Sequence, residues 1–296
     1  MRESGLPDFF DQREESSKMK ISVASGKGGT GKTTIATSLA LMLNSAQYLD
    51  CDVEEPNGHI FLKPQIREMI SVGIPVPQVD LSKCTHCGMC FEVCEYHAII
   101  TILDKVLVFP ELCHGCGGCV SICPDGAIIE VEREIGVVEK GIAGNTAFIQ
   151  GRLNLGEPMA PPLIRKVKQA SNPSKIAILD APPGTSCPVV QAVKGSDFCL
   201  LVTEPTPFGL NDLTLAVAMV RILKIPFGVV INVADIGNQD VFTYCMEEGI
   251  PVLLEIPFER KIAVAYSRGI PLIEALPEYK PKFLTLYQNI TESIRQ

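Results

Sequence analysis

Apolar positions in this chain form short unbroken runs, separated by longer stretches where they recur every three or four residues. Residues 21–24 are one such run and predict a buried strand, and residues 34–44 predict the helix after it. Residues 47–50 predict a second strand. The acids and Pro56 that follow cannot continue it, so residues 51–57 predict a loop at the strand's C-terminal end. Residues 175–180, 198–203, 227–231 and 252–256 predict four more strands, with helices at 161–170 and 211–223 between them. Residues 136–138 and 141–144 are strand- and turn-like. Residues 281–294 set Phe283, Tyr287, Ile290 and Ile294 at helical spacing without a basic face, which predicts a helix docked on the core. Strands alternating with helices predict an α/β fold: a doubly wound, mostly parallel sheet with helices on both faces.

The segment from Gly26 to Thr34 lies between the first strand and the first helix. It fits the phosphate-loop template G-x-x-x-x-G-K-[ST], in the strand–loop–helix setting that template needs. Gly26, Gly28, Gly29 and Gly31 let backbone N–H groups approach a phosphate, together with those of Thr30 and Thr34. The following helix turns its positive end to the same anion. Lys32 would reach the outer phosphates of ATP or ADP, and the Thr33 hydroxyl would ligate Mg2+. Asp180 ends an apolar strand, the place of a carboxylate acting on that magnesium.

A net charge of −8 argues against a broad nucleic-acid-binding face. No apolar run approaches the roughly 20 residues of a membrane span. Residues 1–18 are polar and mixed in charge, and are expected to be a loosely held extension. Twelve cysteines and no apolar signal core suggest metal ligation in a reducing cytoplasm. Eight of the cysteines form a duplicate. Cys84, Cys87, Cys90 and Cys94 recur, 29 residues on, as Cys113, Cys116, Cys119 and Cys123. The flanks repeat too, although Glu95 stands where the second copy has Pro124. Residues 72–79, rich in proline, read as the boundary of this insert. Residues 72–135 hold nine acids against three bases and so carry −6 of the chain's charge. Cys51, Cys187, Cys199 and Cys245 form no C-x-x-C unit and are expected to be buried small hydrophobes.

With Lys27 directly after its first glycine, the loop resembles the deviant Walker A group of the MinD/ParA/nitrogenase-iron-protein class of dimeric ATPases. The resemblance covers nearly everything from Met19 onward. It implies that Lys27 crosses a dimer interface to the partner's nucleotide. Asp50-Cys51-Asp52 through Pro56-Asn57 resembles the family's first switch, where Asp52 orients the attacking water and helps hold magnesium. Asp180-Ala181-Pro182-Pro183-Gly184-Thr185 resembles the second switch of the Mrp-type branch, in which the Gly184 N–H senses the γ-phosphate. Asn232, Pro257 and Phe258 match base-contacting positions.

The cysteine duplicate resembles a bacterial two-cluster ferredoxin, in which the fourth cysteine of each run ligates the other cluster. Cys84, Cys87, Cys90 and Cys123 would then hold one 4Fe–4S cluster, and Cys113, Cys116, Cys119 and Cys94 the second. A zinc site would favour paired C-x-x-C units instead. The implied architecture is an ATPase domain, residues 19–71 and 136–296, with a small α+β ferredoxin-like domain at 72–135. The implied function is ATP hydrolysis in a homodimer, or in a heterodimer with a related ATPase, coupled to electron transfer to a protein partner. A metal-cluster carrier and a MinD-like spatial switch are the alternatives.

Overall fold

The computed structural model describes residues 19–43 and 45–295. The expected extension at 1–18 and the expected helix end at Asn44 lie outside them. The strands are β1 (Lys20–Ser25), β2 (Gln47–Asp50), β3 (Gln65–Val79), β4 (Ile99–Ile102), β5 (Lys105–Val108), β6 (Ile128–Ala143), β7 (Thr146–Leu153), β8 (Ala177–Pro183), β9 (Phe198–Thr203), β10 (Phe227–Asn232) and β11 (Val252–Ile256). Nine of them make one sheet in the order β11-β10-β9-β1-β8-β2-β7-β6-β3, and β4 and β5 make a separate hairpin. From β11 to β7 every neighbouring pair is parallel; β6 and β3 close the sheet antiparallel.

The parallel strands read as continuous apolar runs because helices cover both faces. On one face, Ile21, Val23, Tyr48, Phe148 and Phe198 pack with the helix Lys32–Met42 and the last helix, Lys280–Arg295. On the other, Leu49, Ile149, Leu179 and Leu201 pack with the helices Ala160–Gln169, Cys187–Val193 and Pro207–Leu223. In the last helix Phe283 and Ile290 are fully buried, with Tyr287 and Ile294 packed against them, so this helix docks on the core.

Three expectations need correction. The boundary expected at 72–79 is continuous strand: β3 runs through Pro75 and Pro77, paired with β6 from Gln65↔Ile142 to Val79↔Ile128 across two register shifts, at Ile66/Glu68 and Val72/Gly73. As an edge strand β3 has one side without ladder partners, so its prolines do not break the pairing. The far limit at 135 falls inside β6 in the same way. The helix expected at 211–223 begins at Pro207, because proline suits a first turn and Thr206 caps it by accepting from Gly209 N–H at 2.9 Å. β8 continues past Asp180 to Pro183, held by β1.

The β3–β6 ribbon is about 50 Å long at the usual strand rise. Its far end carries the duplicated segment, and the duplication is visible in the pairing. Ile99↔Val108 joins the strand after the first repeat to the strand before the second. Val79↔Ile128, at the equivalent positions, joins the strand before the first repeat to the strand after the second. Val72, Ile74, Val76, Ala98 and Cys113 belong to the same buried cluster as Ile135, Leu163 and Val167. The insert thus shares a core with the main sheet.

Phe283 packs in the core with no exposed surface. Phe283→Ala should cost about 3–5 kcal/mol, the usual range for emptying such a site. Urea unfolding followed by circular dichroism measures it.

Candidate functional site

The loop between β1 and the helix Lys32–Met42 wraps the C-terminal end of the sheet, where α/β folds bind ligands. Two of its glycines are required for separable reasons. A Cβ on Gly26 would lie 2.2 Å from the Asp212 carbonyl oxygen, so the loop passes directly against the helix Pro207–Leu223. Gly31, at φ 90°, is left-handed, and a Cβ there would meet the Asn232 amide at 2.6 Å. That amide donates to the Thr30 carbonyl at 3.0 Å, so Asn232 braces the loop from β10. The Thr30 hydroxyl is buried without a partner. Lys27, the lysine after the first glycine, pairs with Glu204 at 3.4 Å.

Lys32 is nearly buried and sits 2.5 Å from Asp180 Oδ1. Asp180 Oδ2 accepts from the Tyr48 hydroxyl at 2.8 Å. Burial opposes the Lys32 charge, yet the combined pull of Asp180, Asp52 and Asp50 leaves its pKa above the ordinary lysine value. Burial, then the Asp180 charge, raises the Tyr48 hydroxyl well above its usual range. Asp50 is fully buried beside them. Burial and Asp180 push its carboxyl up to about 8, against the pull of the Gly58 N–H. Asp50 anchors the following loop by accepting from Asp52 N–H at 3.2 Å, Asn57 N–H at 3.2 Å and Gly58 N–H at 2.9 Å. Asp52 is half-exposed at the cleft, its carboxyl pushed up to about 6 chiefly by burial, with Lys32 opposing.

A cleft of about 470 Å³ opens beside Lys32 and Asp52. Gly28, Gly29, Gly31, Lys32, Thr33 and Thr34 form one wall with Asp52. Asn232, braced against that loop, also lines the cleft, as do Pro257 and Phe258 with the apolar Ile262, Tyr266 and Leu272. Positions that match the phosphate loop and those expected to contact the base, far apart in the chain, therefore line one cavity. The Gly184 N–H does not point free into it: it donates to the Ser25 carbonyl at 2.9 Å. Sensing a phosphate would require that bond to open. Sequence reasoning passed over Asp50, Tyr48 and Glu204. Asp50 and Glu204 did carry a signal, an acid at a strand's C-terminal end before a proline-bearing loop.

The eight duplicated cysteines divide between two smaller cavities. Cys84, Cys87, Cys90 and Cys123 line one, with Thr101 and Asp125. Cys94, Cys113, Cys116 and Cys119 line the other, with Tyr96 and His114, whose rings stack at 3.5 Å. Backbone N–H groups point at sulfur in matching places of the two repeats: Ala98 to Cys94 and Ala127 to Cys123, both at 3.3 Å. Gly115 N–H reaches Cys113 Sγ at 3.4 Å. The Thr85 hydroxyl bonds Asp125 Oδ2 at 2.6 Å and ties the repeats together. Each set surrounds a space rather than a point: among the described residues no three His, Cys, Asp or Glu side chains gather as a single-ion site. All twelve cysteines are free thiols. Cys51, Cys199 and Cys245 are buried as expected, but Cys187 is exposed, because it opens the helix Cys187–Val193 just after β8.

The family described as the CobQ/CobB/MinD/ParA nucleotide binding domain matches residues 21–272, and the chain belongs to it. An uncharacterized protein of Methanocaldococcus jannaschii is 32% identical over 281 residues, covering 93% of this chain and 98% of the relative. The iron-sulfur cluster carrier protein of Pyrococcus horikoshii is 25% identical over 316 residues, covering 98% and 92%. Among solved structures, the cell division ATPase MinD of Pyrococcus furiosus superposes with a TM-score of 0.55 at 20% identity, over 93% of this chain and 99% of that one. This likeness shows a MinD-type fold.

Asp180→Ala would strand the buried Lys32 charge. The expected cost is about 3–5 kcal/mol in the nucleotide-free protein, measured by urea unfolding. Gly26→Ala should lower nucleotide affinity by at least about tenfold, since the loop must leave the Asp212 backbone and each 1.4 kcal/mol is one decade. Titration with a fluorescent ATP analogue reads that loss.

Proposed function

We propose that this chain is an ATP-hydrolysing, MinD-like iron–sulfur protein in which nucleotide state is coupled to electron transfer through two 4Fe–4S clusters. The observation that carries this reading is the partition of the cysteines. Each cavity takes three cysteines from one repeat and the fourth from the other, and N–H groups point at the sulfurs. Thiols around a closed space, backed by amide donors, suit a sulfur-bridged cluster. Cys84, Cys87, Cys90 and Cys123 would hold one cluster, and Cys113, Cys116, Cys119 and Cys94 the other. Each cluster would supply a one-electron carrier.

The residues at the cleft define the nucleotide chemistry. Lys32 leaves Asp180 for the β- and γ-phosphates of ATP, and the loop N–H groups cradle them. Thr33 and Asp52 would hold Mg2+, which neutralises phosphate charge. Asp52 orients a water against the γ-phosphorus. The water oxygen bonds to phosphorus, the bond to the bridging oxygen breaks, and ADP departs with the electron pair. Lys27, released from Glu204, reaches the nucleotide of a second subunit in a dimer. The loop at 51–57 and the segment at 182–186 both border the cleft and respond to the nucleotide present. The acidic insert suits a redox partner with a basic face.

A second reading, transfer of assembled clusters to an acceptor, is favoured by the relative named an iron-sulfur cluster carrier protein. Against it, Cys51, Cys199 and Cys245 are buried, and the C-terminal half has no C-x-x-C unit to offer a labile cluster.

Anaerobic reconstitution should load about eight irons per chain, four for each cluster. Cys123→Ser should remove the signal of the cluster assigned to Cys84, Cys87 and Cys90 while leaving the other, as electron paramagnetic resonance distinguishes. Redox titration with and without ATP and magnesium should give different cluster potentials. Potentials and partner reduction rates indifferent to nucleotide would refute electron gating, and iron passing to an apo-acceptor would favour the carrier.

A further inference from the structure

Four polar side chains lie in register across four adjacent strands of the sheet. Asp180 of β8 pairs with Asp50 of β2, Asp50 with Gln150 of β7, and Gln150 with Glu139 of β6. Neighbours in register share a face of the sheet, so these four form a single file. All are buried, from 0% exposure at Asp180 and Asp50 to 8% at Glu139. The row beside them is aromatic: Tyr48 stacks on Phe148 with ring centroids 5.8 Å apart. A buried file of acids and an amide is costly unless its members bond one another.

One of those bonds is present, between Gln150 and Glu139; Asp180 bonds Lys32 and Tyr48 instead, and Asp50 accepts from backbone N–H groups of its own loop. Gln150 donates its amide N–H to Glu139, and Arg152 pairs with the other Glu139 oxygen at 3.1 Å. The Gln150 carbonyl oxygen is buried with no partner. The file therefore carries one unsatisfied acceptor beside Asp50, the residue that anchors the loop at the nucleotide cleft.

Its far end reaches the ribbon. Glu139 lies opposite Met69 of β3. β3 also returns to Asp50 by the covalent route: Asp50 holds Gly58 N–H at the start of the helix Gly58–Leu62, and β3 begins at Gln65. Asp50 is thus joined to the ribbon twice, along the chain and across the sheet. A shift of the 51–58 loop cannot move one connection without straining the other.

We propose that Gln150 and Glu139 are positioning residues that couple the nucleotide cleft to the β3–β6 ribbon, so that the cysteine module feels which nucleotide is bound. The inference rests on the nucleotide chemistry proposed above, since it begins with Lys32 moving from Asp180 to a phosphate. That move strips Asp180 of its cation and changes the field at Asp50. Asp50, Gln150 and Glu139 then re-pair, and the register contacts carry the change to β6 and β3. Tight packing makes such a file switch between discrete arrangements rather than bend.

The test uses the full reconstituted chain and hydrogen exchange with Mg-ATP, Mg-ADP or no nucleotide. In the wild type, Mg-ATP should change amide exchange in residues 65–79 and 128–143 by about fivefold or more, the lower end of ordinary coupling. Gln150→Met keeps the side-chain length and removes the amide. It should keep nucleotide affinity within about threefold, below the usual coupling range, and lose the ATP-dependent change in the ribbon. Glu139→Gln, which keeps the shape and removes the charge, should lose it as well. A wild type that binds ATP with no change in the ribbon would overturn the coupling alone, as would variants that keep the full response. A wild type that fails to bind ATP would remove both this inference and the nucleotide reading beneath it.

Discussion

One buried cation holds together the functional end of this molecule. Lys32 lies in the sheet's C-terminal crevice against Asp180, with Asp50 fully buried alongside and Tyr48 donating to Asp180. Two carboxylates cannot both be charged so deep in a protein without a cation beside them. Lys32 is therefore a structural counter-ion for as long as no phosphate competes for it. The phosphate loop, the strand-terminal acids and the loop at 51–57 all take their places from that arrangement. An anion entering the cleft must rebuild the charge balance, and a site held this way responds to occupancy as a unit.

The cysteine module is mounted on the same framework. Its outer strands are the two longest in the chain, and they run without a break into the edge of the main sheet. The buried cluster that includes Cys113 and Ala98 continues into the packing of the helix Ala160–Gln169. A shared core and a shared ladder give the module little freedom to turn independently. The module joins the nucleotide-binding half through backbone hydrogen bonds rather than through a linker. The internal duplication suits such a mount, because each repeat lends a strand and a cysteine to the other, and neither cavity is complete without both.

The MinD-type fold and the carrier-named relatives frame the same chemistry from two sides. The fold brings a phosphate loop and the loops after β2 and β8 to one crevice. The module adds two enclosed thiol sets that the sheet alone would not need. The acidic character of residues 72–135 lies on that module.

Much of this was legible in the sequence. The bounds of β2, β9 and β11 were legible to the residue, and β9 most simply, because a strand buried on both faces leaves no room for polar interruptions. The phosphate loop was legible because its glycines answer local backbone demands, and the cysteine sets because a constant offset records the duplication. What stayed hidden depended on partners distant in the chain. Pro75 and Pro77 looked like a break, since nothing local says that β3 is an edge strand. Asp50 was legible as the end of a strand but not as a buried acid, since its charged neighbours Asp180 and Lys32 lie on β8 and in the helix after the phosphate loop. Gln150 and Glu139 carry no local mark that they are buried together. Local sequence decides which segments become strands and helices, because backbone conformation is set by near neighbours. Only the assembled sheet decides which polar groups are buried together, because register between strands is fixed by packing across the whole fold.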